Sequence, residues 1–204
     1  MSAVWFRRFA DIPGVRYETP GGVDFQRLEG RNAVPKVQFN EYAQSEDLWW
    51  ATAGGGTSRS PAGDRAFGET KDMTTAQVLT NVTEALELPG EPSDYHFLLQ
   101  HAATELYARR RSEPSAIEEA HRLFLLDLQL LQAQPQVATY DQDGHERFLS
   151  IPGLPRLLRL YLTEGRIAEA AGIADIAERF GAGTMPDVAA ARARAVALAA
   201  EDAS

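Results

Sequence analysis

The run RLFLLDLQLL, from Arg122 to Leu131, is apolar nearly all the way round when wound as a helix. A helix without a solvent face has to be covered on several sides, so any fold of this chain must supply neighbours for it. That places the run at the centre of a helical domain. Asp127, inside the run, tightens the constraint, because a buried carboxylate demands a partner. Arg156 and Arg159 are the candidates, and a buried structural pair is favoured over a catalytic acid.

The helices around it announce themselves by period and caps. Thr74 and Gln77 have capping-box spacing, and Val78, Val82, Ala85 and Leu86 follow as one stripe. PGEPSD breaks the chain, Ser93 or Asp94 caps a second helix, and Tyr95, Leu98, Leu99, Ala102 and Leu106 form its apolar face. RSEPS breaks it again, with Pro114 suited to a first helical position. Beyond the central helix, QPQVATYDQDGHERF reads as a polar loop with a short hairpin at Asp143-Gly144. Two further helices meet at Gly165, and a last, Ala/Arg-rich one starts at Pro186-Asp187, with a thin stripe at Val188, Ala191, Ala195 and Leu198.

Before residue 69 the grammar differs. Val15, Tyr17 and Thr19 alternate ahead of Pro20-Gly21, and Val23 and Phe25 follow, which predicts a β-hairpin closed by a type II turn. Val37 and Phe39 carry a third short strand, held to an edge or a strand start by Pro35. Adjacent Trp49 and Trp50 cannot both enter one core from a strand, so one is expected to be exposed. The expected fold is therefore mainly α: antiparallel helical hairpins over residues 69–204, after a β-containing segment, 1–68, that ends in a Gly/Ser-rich loop.

Several kinds of chemistry are excluded or find no support. With no cysteine among the 204 residues, disulfides, thiolate nucleophiles and cysteine-ligated metals are ruled out. A net charge of −9 works against phosphate binding, and the basic run Arg109 to Arg111 is read as complementing a helix C-terminus. No nucleic-acid partner is expected. No apolar run reaches the roughly 20 residues of a membrane span, and the N-terminus has no apolar signal core, so a cytoplasmic protein with no membrane partner is expected. WWATAGGGTSRSPAG, from Trp49 to Gly63, lacks the Lys-Ser/Thr of a phosphate loop and reads as a hinge or mobile loop.

Histidines and carboxylates offer one alternative. Glu118 and His121, at i and i+3, match half of a di-iron helix motif, and His101 with Glu105 share a face of the neighbouring helix. Those four could hold a metal for an acid–base or metal-assisted enzyme, although solvated surface pairs have the same spacing. Asp141, Asp143, His145 and Glu146 crowd one turn, but Ser150 stands where a calcium loop needs its bidentate glutamate. No nucleophile motif is present, and no cofactor is expected.

One stretch carries a resemblance. In IPGLPRLLRLYLTEGRIAEAAGIADIAERFG, Leu154, Leu157 and Tyr161 share a face, Gly165 ends the helix, and Ala170, Ala174 and Ala177 recur in the next. This resembles a tetratricopeptide repeat, and Ala120 and Phe124 repeat part of the pattern upstream. Leu158 and Ala174 depart from the family's small and aromatic preferences, and an ordinary bundle of helical hairpins meets much of the same pattern. The resemblance implies a groove lined by the first helix of each pair, with Arg156, Arg159 and Thr163 facing a ligand together with Gln100 or His101. It further implies an adaptor or accessory subunit that binds another protein or peptide, acidic or ending in a carboxylate; self-association is a further option.

Overall fold

The computed structural model describes residues 8–23, 28, 36–42, 44–52, 55–57, 59–66 and 70–202. The protein is mainly α with a small β part. Its elements are β1 (Lys36–Asn40), β2 (Ser45–Thr52), β3 (Gly55–Thr57), α1 (Pro61–Ala66), α2 (Thr75–Leu86), α3 (Pro92–Arg109), α4 (Ala116–Ala133), β4 (Thr139–Gln142), β5 (His145–Phe148), α5 (Gly153–Glu164), α6 (Ile167–Arg179) and α7 (Pro186–Asp202). By contacts the chain forms two compact units, 1–137 and 138–204, and the change of grammar near residue 68 lies inside the first.

The first unit is organised by α4. Leu123, Phe124, Leu126, Leu128, Leu130 and Leu131 are buried, as a helix without a polar face requires. Its main neighbour is α3, which presents Leu98, Leu99, Ala102, Ala103 and Leu106. Each fully buried leucine stabilises by about 1.5–3 kcal/mol relative to exposure. Pro114 lies in the turn ahead of α4 rather than inside its first turn.

Helix starts follow local chemistry. Thr74 Oγ1 accepts the Gln77 N–H at 3.3 Å, and Gln77 Oε1 accepts the Thr74 N–H at 2.8 Å, so the capping box is complete. Replacing Thr74 by alanine is expected to cost about 1 kcal/mol, read as a lower urea midpoint with an unchanged slope. An unchanged midpoint would mean that packing alone holds this end. The start of α3 differs from the expectation, because Glu91 rather than Ser93 or Asp94 is its cap, and Asp94 Oδ2 accepts the Glu91 N–H at 2.9 Å. Asp94 Oδ2 also accepts the Ser60 hydroxyl at 2.6 Å, while Ser60 Oγ accepts the Gly63 N–H at 2.9 Å at the head of α1.

Two strand expectations need correction. Residues 15–23 form no strand, and 24–27 lie outside the described residues, Phe25 among them. The extended chain is held by side chains of α4 and of the residue that caps α2 instead: Arg16 N–H donates to Gln129 Oε1, and the Thr19 hydroxyl donates to Glu87 Oε1 at 2.6 Å. With these partners in place the alternation needs no second strand. At the turn it is Gly22, with φ 90°, that takes the left-handed backbone. The expected hinge is also partly structure, since Gly55 to Thr57 form β3 and pair with Trp50 to Thr52 of β2. Side-chain-free glycines satisfy a ladder as well as they serve a loop.

The strand carried by Val37 and Phe39 is present as β1, pairing antiparallel with β2 in the register Lys36 to Trp49 and Asn40 to Ser45. Pro35 lies outside the described residues. Trp50 is 5% exposed and Trp49 36%, so the two tryptophans do part company across the strand.

In the second unit Asp143 (φ 56°) and Gly144 (φ 76°) close the β4–β5 hairpin, with both turn residues left-handed as a type I′ turn requires. Leu154, Leu157, Leu158 and Tyr161 of α5 pack towards Ala170, Ala174 and Ala177 of α6, all buried. Gly165, at φ 72°, ends α5 where a Cβ would be strained, and the Arg166 N–H returns to Tyr161 O at 2.8 Å. Helix α7 contacts both α6 and α5 through Val188 and Ala191.

Candidate functional site

Arg156, Arg159 and Thr163 lie on one strip of α5, opposite its buried leucines, as three- and four-residue spacing requires. Arg159 is the open member: its side chain is 70% exposed and its guanidinium reaches Asp187 Oδ2 of α7 at 3.4 Å. Arg156 Nη1 donates to Pro152 O at 3.0 Å, and the Thr163 hydroxyl donates back to Arg159 O at 2.7 Å. Thr163 thus spends its proton on its own helix and offers only an acceptor.

Arg194 completes the face, and sequence reasoning missed it. It is exposed on α7 and donates through Nη1 to Leu162 O at 2.8 Å, next to the α5 strip. Among the described residues no carboxylate pairs with it. The signal was an arginine within an alanine-rich helix; what could not be read was that α7 lies beside α5. Arg156, Arg159 and Arg194, with Asp187, therefore lie along α5 and α7.

The other expected ligand residues lie elsewhere. Gln100 and His101 are on α3, in the first unit, whereas the arginine strip is in the second. His101 Nδ1 faces Ala66 O at 3.3 Å. The metal reading is corrected as well: among the described residues no three His, Asp or Glu side chains gather as a metal site. Glu105 is instead held by Arg109, at 3.0 Å to Nε and 2.8 Å to Nη2, while Glu118 is exposed on α4. An i,i+4 ion pair is the ordinary use of that spacing.

Asp127 has the partner its burial demands, but that partner is His96, not an arginine. Nδ1 and Oδ1 are 2.6 Å apart between α3 and α4, with His96 0% and Asp127 1% exposed. Arginines 156 and 159 belong to the other unit and are engaged there. Among the described residues His96 Nε2 is buried and has no hydrogen-bond partner. Neither side chain of the pair reaches the surface.

Burial holds the Asp127 carboxyl above the usual carboxylate range, while the hydrogen bond and charge of His96 pull it down. The folded pair thus keeps a proton that an unfolded carboxyl gives up above about pH 4. With the folded value raised, the associated stability is complete below the unfolded value and lost as pH rises through the folded one. Unfolding free energy is expected to fall as pH rises from the unfolded carboxyl's value towards the raised folded one, by at most about 1.4 kcal/mol per pH unit for this proton, and Asp127→Asn is expected to remove that part of the slope. A profile identical in both proteins would show that the pair carries no extra proton.

One open apolar cavity lies at the head of α5. It encloses about 300 Å³ and is lined by Phe148, Ile151, Leu154, Phe180, Ala182 and Met185. Phe148 and Phe180 meet edge to face, with centroids 5.9 Å apart. No protein-family model, curated protein or solved structure matches the chain. Among the described residues no helix is long and apolar enough to cross a membrane.

Proposed function

We propose that the protein is a non-catalytic interaction module that binds an acidic segment of another protein across α5 and α7. The observation that carries this reading is the pair of exposed guanidiniums, Arg159 and Arg194, with the half-buried Arg156 on the same strip of α5, in a chain whose net charge is −9. A local excess of cations on an acidic protein is suited to carboxylates, which guanidinium forks bind through paired, charge-assisted hydrogen bonds. Asp187 keeps Arg159 placed without neutralising the face.

The tetratricopeptide resemblance supports the same reading. A first helix ending in a left-handed glycine, a second helix with small buried alanines, and a third helix against both make a repeat-like array. In such an array first helices line the binding face, and α5 and α7 hold those places. The test is selection of random peptides on the intact chain. Enriched sequences are expected to be rich in Asp and Glu, with enrichment lost at high salt; no enrichment, or enrichment of basic sequences, would overturn the proposal.

A further inference from the structure

The cavity at the head of α5 opens beside the arginine strip. Leu154 and Pro155 on its wall directly precede Arg156, and Met185 lies two residues before Asp187. Its volume is at the lower limit of the roughly 300–1,000 Å³ usual for small-molecule pockets, a size better matched to one bulky side chain than to a cofactor. Its wall is a built feature. Gly181 adopts φ 70°, and a Cβ there would come within 2.7 Å of Phe148 Cδ2, so glycine is what allows the Phe148 ring to stand against Phe180. The ring nevertheless remains 39% exposed, leaving an apolar edge in water at the mouth of an apolar cavity.

Charge determines what this cavity accepts. Arg156 and Arg159 follow its wall residues Leu154 and Pro155 on the same helix, and Asp187 faces Arg159. An isolated apolar molecule would use the cavity alone, whereas an acidic segment with one large apolar residue uses both surfaces at once. We propose that the cavity receives a single leucine- or phenylalanine-sized side chain of the bound segment, whose neighbouring carboxylates lie on Arg156 and Arg159. The proposal rests on the acidic-segment reading above and adds its anchor.

Peptides selected on the intact chain provide the test. They are expected to share one bulky apolar residue among Asp and Glu, and replacing it by alanine is expected to weaken binding roughly 10–100-fold, the loss of one buried side chain. Ala182→Trp, which fills the cavity from its wall, is expected to weaken the parent peptide to a similar degree and to make the alanine peptide bind no worse than the parent. The peptide substitution needs no protein variant, so it decides the matter even if Ala182→Trp fails to fold. Acidic peptides that lose less than about threefold on losing their apolar residue would overturn the anchor and leave the acidic face standing. If no acid-dependent peptide is enriched, both proposals fall.

Discussion

Replacing His96 by leucine is expected to remove about 3–5 kcal/mol of stability, the usual cost of stranding one member of a buried charged pair. Among the described residues the imidazole gives Asp127 its one side-chain hydrogen bond, at 2.6 Å, and neither side chain reaches water. Without it the carboxyl must remain protonated and unsatisfied, or open a path to solvent through the most apolar helix of the protein. The double replacement His96→Leu/Asp127→Leu is expected to recover most of the loss, since apolar groups of similar size often match or exceed a buried pair. Urea unfolding of the two variants and the parent separates the cases. A single variant that loses less than about 1 kcal/mol would show that the pair is not what α3 and α4 depend on here. A double variant as unstable as the single would place the cost in shape rather than charge.

The second large effect concerns binding. Reversing two cations of the α5–α7 face, Arg159→Glu with Arg194→Glu, is expected to weaken an acidic peptide by at least about 100-fold. Each charge-assisted hydrogen bond contributes roughly 1.5–3 kcal/mol, and reversal adds repulsion to the loss. Stability should change little: Arg159 is 70% exposed and Arg194 sits on the open side of α7. Fluorescence anisotropy of a labelled peptide reads the change, with urea unfolding as the control. Equal affinity in the parent and the reversed protein would remove the acidic-segment proposal.

Features set by neighbouring residues were legible in the sequence. Thr74 and Gln77 close their box across one turn, Asp143-Gly144 prescribes its hairpin, and Gly165 must end its helix, all by local geometry. The two tryptophans divided for an equally local reason, the two-residue period of a strand. What depended on distant partners was not legible. His96 lies between Tyr95 and Phe97 and is separated from Asp127 by 31 positions, so nothing in either neighbourhood names the other. Choosing an arginine for Asp127 followed charge alone; the packing of α3 against α4 decided otherwise. His96 does lie one position around α3 from the apolar stripe, which was the available clue. The alternation from Val15 to Thr19 failed in the same way, because Gln129 on α4 and Glu87 at the end of α2 took the backbone and hydroxyl groups that a second strand would have used or left to water. The candidate ligand residues were all joined by analogy with the repeat; Arg156, Arg159 and Thr163 do share one strip of α5, whereas Gln100 and His101 belong to the first unit.

Ser60 and Asp94 tie the heads of α1 and α3 into one chain of hydrogen bonds, from the Gly63 amide through the serine hydroxyl to the carboxylate that also takes the Glu91 amide. Fraying at either head therefore strips a partner from the other. The six residues of α1 are too few to hold a helix by themselves, and this shared link makes their opening part of the opening of α3. The short helix so inherits the lifetime of the long one, and the two heads behave as a single unit of local unfolding.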